Sequence, residues 1–303
     1  MAWNQGSVSS YVATKLLAIA VTLVMSPAAI AASAAPPDTQ GNDAYLALGD
    51  SITFGSIVND GHAYLNANNF VAYPDYVGRA LRLDTANAAC PGETTSSFIS
   101  QTSTDVACRS YWQAQQFPLH VTYTSTQLDF ATKFLASHKH TQLVTIGLGA
   151  TDGLALENKC AIDPSPYPTP EICFQAQLPA LLATISTNMS TILASLRATG
   201  FRGVLMVVNY YSLDYTDLVQ TSLTALLNQT LAAVAQANGA VVADAFTAFQ
   251  AVASLAGGKT CNAALLNADP QNQLLCDDHP AQSGHQLLAQ TVAAKYQAVR
   301  LEQ

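Results

Sequence analysis

The chain has 303 residues, half of them hydrophobic, with 11% charged residues and a formal net charge of −8. That size and composition predict one large domain able to bury a substantial core. The acidic balance and the lack of a basic stripe exclude nucleic acid as an expected partner.

In chain order, the first segment reads as a targeting signal rather than part of the fold. Lys15 closes a mostly polar stretch, and Leu16 to Met25 is apolar but too short to span a membrane. Ala32-Ser33-Ala34 then fits a cleavage site. Residues 1–34 are therefore expected to be a signal peptide, 35–43 a short linker, and 44–303 the domain. An uncleaved anchor is the competing reading. Cleavage would remove Lys15 and leave the protein one unit more negative. The expected location is extracellular, and no later stretch reads as a membrane span.

Tyr45-Leu46-Ala47-Leu48 reads as a buried strand. Further strands are expected at Leu83 to Ala88, Leu143 to Gly149, Gly203 to Tyr210 and Ala240 to Ala245. Between them, Leu178, Leu181, Leu182, Ile185, Met189, Ile192, Leu193 and Leu196 recur at steps of three and four, which gives one apolar helix face. Thr216 to Asn238 repeats that pattern, and a last helix runs from near Pro280 to the end. Alternating strands and helices predict an α/β fold: a three-layer sandwich around a parallel sheet of about five strands. In such sheets, ligands bind beyond the carboxyl ends of the strands. Glu93 to Thr126, rich in Ser, Thr and Gln, and Leu156 to Phe174, with Pro164, Pro166, Pro168 and Pro170, break the alternation and are expected to be surface loops near the active-site rim.

The six cysteines, Cys90, Cys108, Cys160, Cys173, Cys261 and Cys276, all follow the signal. An even count in a secreted chain implies disulfides. Several pairings are possible; pairing of neighbours is favoured, as Cys90–Cys108, Cys160–Cys173 and Cys261–Cys276. Each would close a local loop and contribute about 3 kcal/mol. Zinc is disfavoured by the lack of any C-x-x-C pair, and no metal or cofactor is expected.

Gly49 to Gly55 (GDSITFG) places Ser51 just past the first strand, where a sharp turn exposes a hydroxyl. A serine needs a base to become a nucleophile, and Asp277-Asp278-His279-Pro280 supplies one at the far end. The bland alternative is that Ser51 only caps a following helix; a helix start would also favour an alkoxide there. His279 could equally be a surface histidine before a helix. The scattered His62, His120, His138 and His140 read as loop or surface residues. Asn188-Met189-Ser190 and Asn228-Gln229-Thr230 match glycosylation acceptors but lie in helical patterns.

These motifs resemble those of the SGNH hydrolases, also called the GDSL esterase/lipase family, across essentially the whole mature chain. The resemblance implies a flavodoxin-like fold and a secreted serine esterase or lipase working through an acyl-enzyme. It makes Ser51 the nucleophile and His279 the base. Asn87 to Thr95 is similar to the second block and gives Gly92, with the Ser51 amide, an oxyanion-hole role. Gly149-Ala150-Thr151-Asp152 departs from the family's G-x-N-D. Thr151 stands in place of the asparagine donor, and Asp152 is expected to fix the loop. The acid expected three residues before the histidine is replaced by Cys276, so Asp277 is chosen to orient His279, with Asp278 or a backbone carbonyl in reserve. His285 is expected to pack. The implied partner is a small-molecule or lipid ester, bound by a monomer. Two competing readings are a polysaccharide acetylesterase and a catalytically weak binding protein of the same fold.

Overall fold

In this computed structural model, residues 43–57, 61–268 and 276–302 are described. The expected signal peptide and residues 35–42 of the linker lie outside them. Five strands form the central sheet: β1 (Ala44–Gly49), β2 (Asp84–Asn87), β3 (Thr141–Gly147), β4 (Val204–Val208) and β5 (Val241–Ala243). All neighbours pair in parallel, in the order β2-β1-β3-β4-β5. This is the flavodoxin-like doubly wound order, with its topological switch between β1 and β3. Every residue of β1 and β4 is buried, as expected for parallel strands covered on both faces.

The helices are α1 (Ser51–Phe54), α2 (Tyr73–Leu81), α3 (Thr95–Ile99), α4 (Gln127–Ser137), α5 (Ala150–Ile162), α6 (Pro170–Ala198), α7 (Leu218–Ala237), α8 (Ala245–Ala253) and α9 (Gln282–Leu301). Alternate strand residues feed two cores. Leu46, Leu48, Val144, Ile146, Leu205 and Val207 pack with α4, α6 and α7. Tyr45, Ala47, Leu143, Val204 and Met206 pack on the other face with α2, α8 and α9. The period-two alternation of strand side chains thus builds the three layers.

The structure corrects two expectations about loops. Leu156 to Phe174 is mostly helical: α5 continues to Ile162 and α6 starts at Pro170. Thr169 accepts a hydrogen bond from the Ile172 amide, and Pro170 occupies the first turn, so a proline of the expected loop starts a helix. Glu93 to Thr126 contains α3 and a π-helical turn over Cys108–Gln113. Its Trp112 is buried against Phe54 and Phe70, an aromatic cluster with no periodic signature.

By length and composition, α6 could cross a membrane, which the sequence reading did not anticipate. Ile185, Met189, Ile192, Leu193 and Leu196 of this helix are nevertheless buried in the core. A small antiparallel pair, β6 (Leu266–Ala268) and β7 (Cys276–Pro280), was also not expected. Disulfides join Cys90 to Cys108, Cys160 to Cys173 and Cys261 to Cys276. The second ties α5 to α6, and the third anchors the start of β7.

Candidate active site

Gly49 ends β1 with a φ of 153°, and a Cβ there would lie 2.5 Å from the Gly147 carbonyl oxygen. Only glycine allows this close passage between β1 and β3. The chain then turns into α1. Asp50, not Ser51, caps this helix: its Oδ1 accepts from the Ile52 amide at 3.0 Å. Ser51 is therefore free of the capping role, which corrects the bland reading. With four residues, α1 is one turn, so the helix-dipole argument for an alkoxide carries little weight.

Ser51 is half-buried, and among the described residues neither its hydroxyl nor its amide has a hydrogen-bond partner. The Gly92 amide likewise has no acceptor there. Gly92 has a φ of 77°, and a Cβ would lie 2.3 Å from the Ala107 nitrogen. Backbone geometry therefore requires glycine at this turn whether or not its amide takes part in chemistry. Thr151 lies in the first turn of α5, buried, and its hydroxyl also lacks a partner among the described residues. These three donors, from the ends of β1, β2 and β3, sit on the edge of the sheet where ligands bind.

β7 packs against α1, which brings the His279 strand to the Ser51 turn. No hydrogen bond joins Ser51 to His279. The His279 Nδ1 lies 3.1 Å from Asp278 Oδ1 and 3.4 Å from Asp277 Oδ1, at ion-pair distance but without hydrogen-bond alignment. Asp277 Oδ1 also accepts from the His279 amide at 2.6 Å. Burial pushes the His279 pKa down, but the two carboxylates override it and carry it up to about 10. The same pairing holds Asp278 below its ordinary value. His285 is buried in α9, and its Nδ1 has no hydrogen-bond partner among the described residues. Burial, then the neighbouring His279 charge, pushes its pKa down to about 3.

Several supporting residues escaped the sequence reading. Asp50 Oδ2 accepts from the Tyr210 hydroxyl at 2.7 Å, and burial raises the Asp50 pKa to about 6. Asn228 binds both the amide and the carbonyl of Tyr210. Gln127 accepts from the Gly49 amide at 2.7 Å, donates to the Gly49 carbonyl at 3.0 Å, and reaches Glu93 Oε2 at 3.3 Å. It thereby clamps the end of β1 to the residue after Gly92. Burial lifts the Glu93 carboxyl to about 7. Asp152 accepts from the Thr95 amide and hydroxyl and so ties α5 to α3, the loop-fixing role expected of it.

Asp50 and Glu93 lie inside the quoted motifs and were legible as neighbours of the key residues. Gln127 is 78 positions from Gly49 and has no local signal. Both glycosylation candidates use their amide nitrogens internally, Asn188 toward Thr95 and Ser96 and Asn228 toward the Tyr210 carbonyl.

Two groups of metal-ligating atoms occur among the described residues: Asp277 with Asp278 and His279, and Glu93 with Cys90 and Cys108. The disulfide consumes both sulfurs of the second.

The sequence model described as the GDSL-like lipase/acylhydrolase family matches residues 47–287. A search of curated proteins gives no match. Among solved structures, the chain is similar to phospholipase A1 from Streptomyces albidoflavus NA297, with 19% identity and a TM-score of 0.52, covering 84% of this chain and all of that one. It is similar to LAE5, an alpha/beta hydrolase enzyme from the metagenome of Lake Arreo, with 15% identity, a TM-score of 0.51 and coverage of 85% and 96%. The acetylxylan esterase Axe2 from Geobacillus stearothermophilus gives 15% identity, a TM-score of 0.48 and coverage of 84% and 94%.

Proposed function

The chain belongs to the GDSL-like lipase/acylhydrolase family, and on that premise we propose that it is an extracellular carboxylester hydrolase using Ser51 as nucleophile. The observation that supports the reading is the packing of β7 on α1, which brings the strand bearing His279, with Asp277 and Asp278 at its Nδ1, against the turn bearing Ser51, whose hydroxyl has no hydrogen-bond partner among the described residues. Nδ1 faces the two acids, which leaves Nε2 to take the Ser51 proton. That hydrogen bond forms on substrate binding, since such contacts often tighten only in the complex. The Ser51 oxygen then attacks the ester carbonyl. The amides of Ser51 and Gly92, with the Thr151 hydroxyl, receive the oxyanion. His279 returns the proton to the leaving alcohol, and water attacks the acyl-enzyme to release the acid and restore Ser51.

This reading shares the orienting role between Asp277 and Asp278, and it is supported by both carboxylates lying within ion-pair distance of Nδ1. Three disulfides support an oxidising compartment and hence secretion.

The test is hydrolysis of p-nitrophenyl acetate and butyrate by Ser51→Ala. Turnover should fall by at least about a thousandfold, with unchanged melting. Wild-type rates in that variant would rule out the serine mechanism.

A further inference from the structure

The apolar stripe of α6 is longer than the core it serves. Its C-terminal part, from Ile185 to Leu196, is buried under the sheet. Leu178 and Leu182, one to two turns earlier, are only half-buried. On α7 the same change occurs: Leu231 and Val234 are buried, whereas Leu223 and Leu227 are half-buried. These leucines face a groove of about 200 Å³ between α5, α6 and α7. Gly149 and Ala150 form part of its wall, directly before Thr151.

Gly153 adds a second observation. It lies inside α5 and lines the groove, and a Cβ built there meets nothing within 4 Å. Its φ is not positive, so neither backbone conformation nor crowding requires glycine. An interior helix glycine is nevertheless unfavourable relative to alanine. The space it leaves open belongs to the groove, and the groove begins one residue from a candidate oxyanion donor.

We propose that this groove binds the acyl chain of the substrate, which makes esters of unbranched, medium-length fatty acids the substrate class. The proposal rests on the hydrolase reading. An acyl carbon held at the oxyanion donors has its chain directed along Ala150 and Gly153 and between Leu178, Leu182, Leu223 and Leu227. Glu157 marks the polar rim. The Cys160–Cys173 bond ties α5 to α6 and fixes the width. Full burial of one methylene is worth about fourfold in kcat/KM, which sets the ceiling per carbon.

The test compares p-nitrophenyl acetate, butyrate and octanoate on the full protein and on two variants, Gly153→Trp and Leu182→Gln. In the wild type, kcat/KM should rise with chain length. In each variant, the octanoate-to-acetate ratio should fall at least about tenfold, mainly through KM, as expected for lost binding. Melting and labelling by a short fluorophosphonate report whether each variant is folded with a competent serine.

If the wild type turns over acetate but shows no gain with chain length, the groove proposal is wrong and the hydrolase reading stands. The same holds if both folded variants keep the wild-type ratio, as they would if the groove instead receives another part of the chain or a lipid surface. If the wild type hydrolyses no ester and takes up no fluorophosphonate, the hydrolase reading fails and this inference falls with it.

Discussion

His279 lies beside two carboxylates, and in the proposed reaction, where it is the base, they set the pH at which it can act. Burial opposes its charge, yet Asp277 and Asp278 raise its pKa to about 10. The imidazolium is then the resting form at neutral pH, and it cannot accept the Ser51 proton. Activity should therefore climb as pH rises above 7, with its lower limb well above the ordinary histidine value near 6.5. Removing one negative neighbour weakens the hold on the proton. Asp278→Asn should shift that limb toward lower pH, read from kcat/KM profiles of the two proteins. An unmoved limb would show that Asp278 does not act on the base. At this scale Ser51 and His279 stand out in the sequence as candidates because each sits in a distinctive local string. That Asp277 and Asp278 both come within ion-pair distance of His279 was not legible, because such distances depend on how β7 folds back on α1.

Among the elements, the five central strands were readable from their apolar runs, since both faces of a parallel sheet are buried. The α5–α6 hairpin was not. Four prolines between residues 164 and 170 suggested a long irregular loop, but three lie in the turn and Pro170 opens α6. The small β6–β7 pair was invisible for a related reason: Asp277 and Asp278 have poor strand propensity and are held there by pairing and by the Cys261–Cys276 bond. The hairpin carries its own prediction. Its disulfide spans a sequence separation of 13, so Cys160→Ser with Cys173→Ser should lower unfolding stability by about 3 kcal/mol. Denaturant unfolding under non-reducing conditions measures this. A change well below 1 kcal/mol would mean that α5 and α6 are held by packing alone.

At the scale of the whole molecule, the site is assembled from segments that are distant in sequence. Asp50 bonds Tyr210, 160 positions away, and Gln127 links Gly49 to Glu93. Such contacts are set by the doubly wound topology, in which the ends of β1, β2 and β3 meet at one edge, and no local pattern encodes them. The central claim belongs to this scale, because it needs a side chain near residue 50 to be activated by one near residue 280. The direct measurement is reaction with a fluorophosphonate, followed by mass spectrometry of the proteolysed protein. The account predicts one adduct, on the Ser51 peptide, formed rapidly by the wild type and at a greatly reduced rate by His279→Ala. An adduct on another residue, or equal labelling without His279, would contradict it.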